Sequence, residues 1–154
     1  MTFNILPPHG TLKDNIFAYP VRVYYEDTDA GGIVYYANYL KFAERARSEF
    51  LRYLEINQQK ILEQQKVGFV VRSCHIDYLS SAYLDDALIV TCEITELGAA
   101  SATMKQQILR GEDVLADINI KLIFLNIETH RPTRICTEIT EKIKKNQSSC
   151  LPKK

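Results

Sequence analysis

Glycine and proline are scarce, 6 and 5 among 154 residues, while 46% of the chain is hydrophobic and 25% charged. That balance excludes a collagen-like, low-complexity or disordered chain. Charge of one sign is missing as well. Lys+Arg and Asp+Glu both total 19, so there is no positive field for sequence-independent nucleic-acid binding or for attraction to an anionic membrane. No apolar run approaches the roughly 18 residues that a bilayer span needs. Residues 1–10 have neither the basic start nor the apolar centre of a secretory signal. The four cysteines, Cys74, Cys92, Cys136 and Cys150, are widely spaced with no C-x-x-C pair. They read as thiols of a reducing compartment, not as a disulfide framework or a metal site, and the expected location is cytoplasmic. Neither a repeat nor a linker divides the chain, whose length suits one domain.

Residues 1–18 lack periodicity and carry Pro7-Pro8 and Gly10, so they read as a loose arm ahead of a single domain at 19–146. Residues 20–26 alternate Val21, Val23, Tyr25 against Arg22, Tyr24, Glu26, a strand pattern. Asp27-Thr28-Asp29-Ala30-Gly31-Gly32 is a turn or loop. From about Tyr36 the period becomes helical, with Tyr39, Ala43, Ala46, Phe50 and Leu54 on one face and Asn38 as the expected N-cap. Glu44, Arg45, Arg47, Glu49 and Arg52 fill the other faces at pairing distance and read as a salt-bridged helix face and not as ligands. A second short helix is expected over 58–66. Residues 69–78, 87–96, 101–110 and 114–125 are then strands, joined by short punctuators that favour antiparallel pairing. A last polar helix over 138–145 precedes a Lys-rich disordered tail, 147–154. The order predicts an α+β fold: an antiparallel five-stranded sheet with its apolar face on one long helix. Its edge strands and leftover apolar surface favour a dimer that continues the sheet.

The informative stretch is 25–39, YEDTDAGGIVYYANY. If extended, Asp27 and Asp29 face the same side. Turn chemistry alone accounts for two Asp followed by two Gly. A calcium loop does not fit, because Gly31 and Asn38 fall where ligands are required and a strand precedes the loop. A D-x-D phosphotransferase site fits poorly with a chain that has one long helix. Cys74, His75 and Asp77 do not form a zinc cluster, since alternation puts Cys74 on the opposite face. His9, His75 and His130 all fall outside the stretch.

The segment from Tyr25 to Arg52 closely resembles the hot-dog-fold acyl-CoA thioesterases, the YbgC and 4-hydroxybenzoyl-CoA thioesterase group. Thr28-Asp29-Ala30-Gly31-Gly32-Ile33-Val34 fits the (T/C)-D-x-x-G-(I/V)-V core of its signature, with Tyr36 and Tyr39 following, and similarity continues through Phe69-Val70-Val71-Arg72 and Leu84-Asp85-Asp86. The resemblance implies a sheet wrapped around the long helix, a homodimer or homotetramer with sites at the dimer interface, and hydrolysis of acyl-CoA to free acid and CoA without metal or redox cofactor. It makes Asp29 the general base or nucleophile, in a partly desolvated channel, and a backbone amide near Tyr36 the donor that polarises the carbonyl. Gly31, Gly32 and Val34 become substrate-contacting positions. Many YbgC-type members have His where Tyr36 stands; tyrosine, with an ordinary pKa near ~10, is no base at neutral pH. The basic cluster that the 4-hydroxybenzoyl-CoA branch carries in the turn before its fourth strand is missing from residues 96–101, which leaves Arg72, Arg131 and Arg134 as candidates for the CoA phosphates. The resemblance also implies partners of the envelope-spanning Tol–Pal system, peripheral to the inner membrane. A non-catalytic acyl-CoA-binding or scaffold protein on the same fold is the alternative.

Overall fold

The computed structural model describes residues 1–148. A short hairpin of β1 (Thr11–Lys13) and β2 (Ile16–Arg22) precedes α1 (Asn38–Tyr53) and α2 (Gln58–Gln65). Then come β3 (Val67–Tyr78), β4 (Ala87–Leu97), β5 (Ser101–Arg110), β6 (Asp113–Asn126), β7 (Arg131–Pro132) and α3 (Thr137–Ser148). All strands join one antiparallel sheet in the order β1-β2-β4-β5-β6-β3, with β7 on β6. Five strands are long, as the alternation predicts; β1 and β7 extend the sheet to seven.

The first strand starts earlier than residue 20, and residues 11–18 belong to strands where a loose arm is expected. The reason is the two-residue turn at Asp14-Asn15, both with positive φ (51° and 65°), which matches the twist of a tight hairpin. Pro20 sits where β1 has already ended, so its missing N–H costs no pairing on that side. Beyond Arg22 the chain leaves the sheet and coils into a 3₁₀ turn at Tyr25–Asp27. α3 runs through Ser148 and so includes the start of the expected tail; residues 149–154, with Cys150, lie outside the described residues.

Apolar periodicity explains the core. Tyr39, Phe42, Ala43, Ala46 and Phe50 are buried on the face of α1 that packs over β2, β4 and β5. Phe17 of β2 stacks on Phe50, ring centres 5.2 Å apart. One polar group interrupts this interface. Gln106, in the inward series Ala102-Met104-Gln106-Ile108 of β5, is fully buried. Its amide donates to the Ala43 carbonyl (3.1 Å) and the Cys92 sulfur (3.0 Å), and its oxygen accepts from the Arg47 guanidinium (2.7 Å). Arg47 is therefore buried and not part of an exposed charged surface, although it also pairs with Glu44, as Arg52 does with Glu49. Burial pushes the Cys92 thiol up to about 12.

β3 is covered least. It is a sheet edge, and α1 lies away from it, so Val71, Cys74 and Tyr78 on its inner face stay accessible. His75 and Asp77 point outward, 3.2 Å apart, on the face opposite Cys74. Cys74, Cys92 and Cys136 are free thiols. Among the described residues no helix is long and apolar enough to cross a membrane.

Candidate active site

The chain between β2 and α1 is tied down by Asp27. Its carboxylate accepts from the Tyr24 N–H (2.8 Å), while its carbonyl accepts from both the Tyr35 N–H (2.9 Å) and the Asn38 side-chain amide (2.8 Å). Asn38 is thus the first residue of α1, bonded back to the loop, and the N-cap position falls to Ala37, which has no capping side chain. Asp27 is buried and holds the loop together. Asp29 is exposed, so the two carboxylates do not share a side: the 3₁₀ turn breaks the extended geometry that would have aligned them.

Asp29 closes a second turn. Its N–H donates to the Ile33 carbonyl (2.9 Å), and its carbonyl accepts from Gly32 (3.1 Å). Its carboxylate Oδ1 accepts from the Gly31 N–H at 2.8 Å. Oδ2 accepts no hydrogen bond among the described residues, and the residue is exposed. Gly32 holds φ at 77°, the region glycine adopts without strain, and nothing lies within 4 Å of where its Cβ would stand. Gly31 is the crowded one, because a Cβ there would meet Asp29 Oδ1 at 3.1 Å. The turn ends in a bridge from Val34, which is buried and whose N–H donates to the Ala82 carbonyl (2.9 Å). The single chain does not supply the desolvated channel expected around Asp29.

Tyr36 lies two residues before α1, in the turn and not in the first helical turn itself. Its N–H has no acceptor among the described residues, whereas its carbonyl accepts from the Tyr78 hydroxyl (3.0 Å). Tyr36 and Tyr78 meet edge to face, ring centres 6.1 Å apart, and Tyr39 packs on Tyr78 at 5.5 Å. The Tyr39 hydroxyl accepts from the Ala82 N–H (2.9 Å), so β3 and the loop before β4 are both fastened to the start of α1. Burial raises the Tyr39 and Tyr78 phenols above their ordinary value, and interaction with the Tyr36 phenol raises Tyr35. These three tyrosines remain protonated donors at neutral pH.

The loop before β4 has its own anchor. Asp86 accepts from the Tyr83 N–H (2.9 Å) and from Arg110 (2.8 Å), and Arg110 also donates to the Ser81 carbonyl (3.2 Å). Desolvation opposes ionisation of Asp86, but the Tyr83 N–H and the Arg110 guanidinium outweigh it and hold the carboxyl below its ordinary value.

Asp29, Gly31, Gly32, Val34 and Tyr36 are thus brought together, while Arg72, Arg131 and Arg134 are not beside them. Arg131 pairs with Asn126, the rung shared with Val67 at the start of β3, whereas the Tyr36 corner touches Tyr78 at its end. Eleven residues of strand separate these rungs, roughly 36 Å. Arg134 lies near Arg131, at the β4–β5 turn with Lys144, and Arg72 sits at the β3 bulge between them and Tyr78. Sequence reasoning assigned no anchoring role to Asp27, Asn38, Asp86 or Arg110. The Asn38–Asp27 and Arg110–Asp86 bonds span 11 and 24 residues, which no local pattern reveals.

Residues 23–143 match the thioesterase-like superfamily, and the chain belongs to it. Within that superfamily it belongs with the YbgC-like proteins. It is 44% identical over 128 residues to the acyl-CoA thioesterase YbgC of Haemophilus influenzae, covering 83% of this chain and 94% of that one. It is 45% identical over 104 residues to the acyl-CoA thioester hydrolase YbgC of Escherichia coli O6:H1, covering 68% and 77%. A probable thioesterase from Bartonella henselae superposes with a TM-score of 0.75 at 37% identity, covering 79% of this chain and 99% of that structure. The hot-dog architecture of this family is the one described above.

Proposed function

We propose that the protein hydrolyses acyl-CoA thioesters, with Asp29 as general base or nucleophile and the Tyr36 N–H as donor to the developing oxyanion. The observation that supports this most is the pairing of an anchored but half-open carboxylate with an uncommitted amide in one corner. Oδ1 of Asp29 is held by Gly31, no bond occupies Oδ2, and the Tyr36 N–H, in the same loop between β2 and α1, has no acceptor among the described residues. Unpaired N–H groups ahead of a helix carry partial positive charge and suit an oxyanion. The named activity of the relatives agrees with this chemistry. The reading requires neither a metal nor a redox cofactor.

A second copy completes the proposal. β3 is an unpaired edge, and pairing it antiparallel with its copy would set the Val67 end of one β3 beside the Tyr78 end of the other. Arg131 and Arg134 of one copy would then serve the CoA phosphates bound at Asp29 of the other, with Arg72 near the middle. The same contact would dry the corner that one chain leaves open. Sedimentation should therefore give a dimer or a multiple of it; a monomer would remove the arginines from the site.

The test is a thiol-release assay on acyl-CoAs with Asp29→Asn beside the wild type. Asp29→Asn preserves shape and should lower kcat/KM by at least ~10²-fold with unchanged melting. Near-wild-type turnover would take Asp29 out of the mechanism. A single turnover in ¹⁸O-water with hydroxylamine trapping bears on its role: label in the Asp29 carboxylate, or an Asp29 hydroxamate, requires a mixed anhydride and so a nucleophile, whereas label in the product acid with no trapped Asp29 fits a base. No hydrolysis of any substrate by the wild type would favour the binding or Tol–Pal scaffold reading.

A further inference from the structure

The loop that carries Asp29 begins at Val23 and ends at Val34, and both ends rest on one short support, residues 81–86 between β3 and β4. At the start, the Val23 N–H donates to the Asp86 carbonyl (3.0 Å), and the Val23 carbonyl accepts from the Asp85 N–H (3.1 Å). At the end, the Val34 N–H donates to the Ala82 carbonyl (2.9 Å), and Ile33 bridges to Tyr83. Ala82 is fully buried, and its N–H donates to the Tyr39 hydroxyl (2.9 Å), so the support also meets the first turn of α1. One cation fixes this support. Arg110, the last residue of β5, donates to the Ser81 carbonyl (3.2 Å) and to the Asp86 carboxylate (2.8 Å). Its guanidinium also lies over the Tyr83 ring, 5.7 Å from the centre. The Arg110 and Asp86 side chains are 33% and 20% exposed, so solvent screens this pair less than an open surface pair.

We infer that Arg110 is a positioning residue for hydrolysis: by clamping Ser81 and Asp86 it fixes the support on which the Asp29 loop is seated. The inference rests on the thioesterase reading above. Connectivity carries it. The Asp29 N–H is bonded to the Ile33 carbonyl, Ile33 is bridged to Tyr83, and the Tyr83 N–H is held by the Asp86 carboxylate that Arg110 engages. Tyr36 is reached from the same support by another route, from Ala82 to the Tyr39 hydroxyl and through the Tyr39 and Tyr78 rings. A support that shifts therefore changes the place of the carboxylate relative to the amide. Displacing a reacting group by about 1 Å can cost about 10²-fold in rate. Among the described residues the hydrogen bonds of Arg110 go to the support and not to the loop, so its effect passes through its neighbours.

The test measures kcat and KM for Arg110→Met, Arg110→Lys and Asp86→Asn, well below the melting temperature of each. The substrate is whichever of butanoyl-, dodecanoyl- and benzoyl-CoA the wild type hydrolyses fastest. Arg110→Met should lower kcat about tenfold with KM within about threefold, and Asp86→Asn should act in the same direction. Arg110→Lys keeps the charge and a nitrogen donor, and should hold kcat within about threefold of the wild type. In the Asp29→Asn background Arg110→Met should cost at least about threefold less than in the wild type, because the group it places is gone. Earlier melting with unchanged kcat, or equal losses in the two backgrounds, means a structural role and overturns the inference. A higher KM at constant kcat means that the cation meets the substrate, and overturns it as well. If Arg110→Met does not fold, Asp86→Asn is judged by the same criteria in both backgrounds. Each of these results leaves the thioesterase reading standing. Absence of hydrolysis by the wild type, or full activity of Asp29→Asn, overturns that reading or the role of Asp29 in it, and the inference with it.

Discussion

Replacing Gln106 by Leu removes one residue from the centre of the helix–sheet contact and strands a charge. Gln106 is fully buried and bonds Arg47, Ala43 and Cys92 at once. Leu fills nearly the same volume, so no large cavity forms. What is lost is the acceptor for a guanidinium that is itself buried. A hydrogen bond to a charged group contributes about 1.5–3 kcal/mol, and the Ala43 carbonyl, already within a helix, adds little. Because Arg47 keeps Glu44 as a partner, the cost stays at about 2–3 kcal/mol, below the 3–5 typical of a fully broken buried ion pair. In a chain of this size that corresponds to a fall in Tm of roughly 5–10 °C. The double variant Arg47→Met/Gln106→Leu should recover at least half the loss, since an apolar pair leaves no uncompensated charge. Urea unfolding at fixed protein concentration, for the two single variants and the double, measures the coupling directly. A single-variant cost under about 0.5 kcal/mol, or strict additivity in the double, would refute the stranded-charge argument.

The Asp86 carboxyl ionises more easily folded than unfolded, so its contribution is present at neutral pH and lost as pH falls through its folded value. Asp86→Asn should lower stability by about 1 kcal/mol at pH 7, and the gap should narrow as pH falls through the folded value of the carboxyl; a gap that does not narrow in acid would contradict this. Gly32→Ala faces no clash, only its φ of 77°, so it should cost about 1 kcal/mol of stability, visible in melting; a loss several times larger would mean that a neighbour occupies the apparent open space. Tyr78→Phe removes the hydroxyl that holds the Tyr36 carbonyl at 3.0 Å. It should lower kcat/KM roughly three- to tenfold while melting stays within a degree or two, and an unaltered rate would show that the carbonyl needs no such hold.

The strands from β3 to β6 are legible because Val, Ile and Leu alternate cleanly and the punctuators fall where turns form; the expected and observed bounds of β5 coincide. The hairpin at the N-terminus was legible too, in Asp14-Asn15, whose side chains tolerate positive φ, but Pro20 drew attention as a strand start. Arg47 is charged yet buried because it flanks the apolar stripe of α1, and Gln106 is the one polar residue in the inward series of β5. The two are partners that neither local pattern reveals alone. The Asp29 motif was legible as chemistry, whereas the loop's attachment through Asp27, Asn38 and Tyr39 depends on contacts of long sequence separation. The arginines illustrate the reverse difficulty: residue type suggested a phosphate site, but only strand register shows how far they stand from Asp29 in one chain.

Cys92 also makes the protein its own reporter of breathing. Burial pushes its thiol up, so little of it is thiolate, and it is fully buried under α1. Cys74 is exposed and Cys136 half-exposed, so an alkylating reagent meets them in the closed molecule. Cys92 is reached only when the helix lifts from the sheet, restoring both access and an ordinary acidity. Peptide mapping of a timed alkylation therefore follows helix lifting through Cys92, with Cys136 as an internal control.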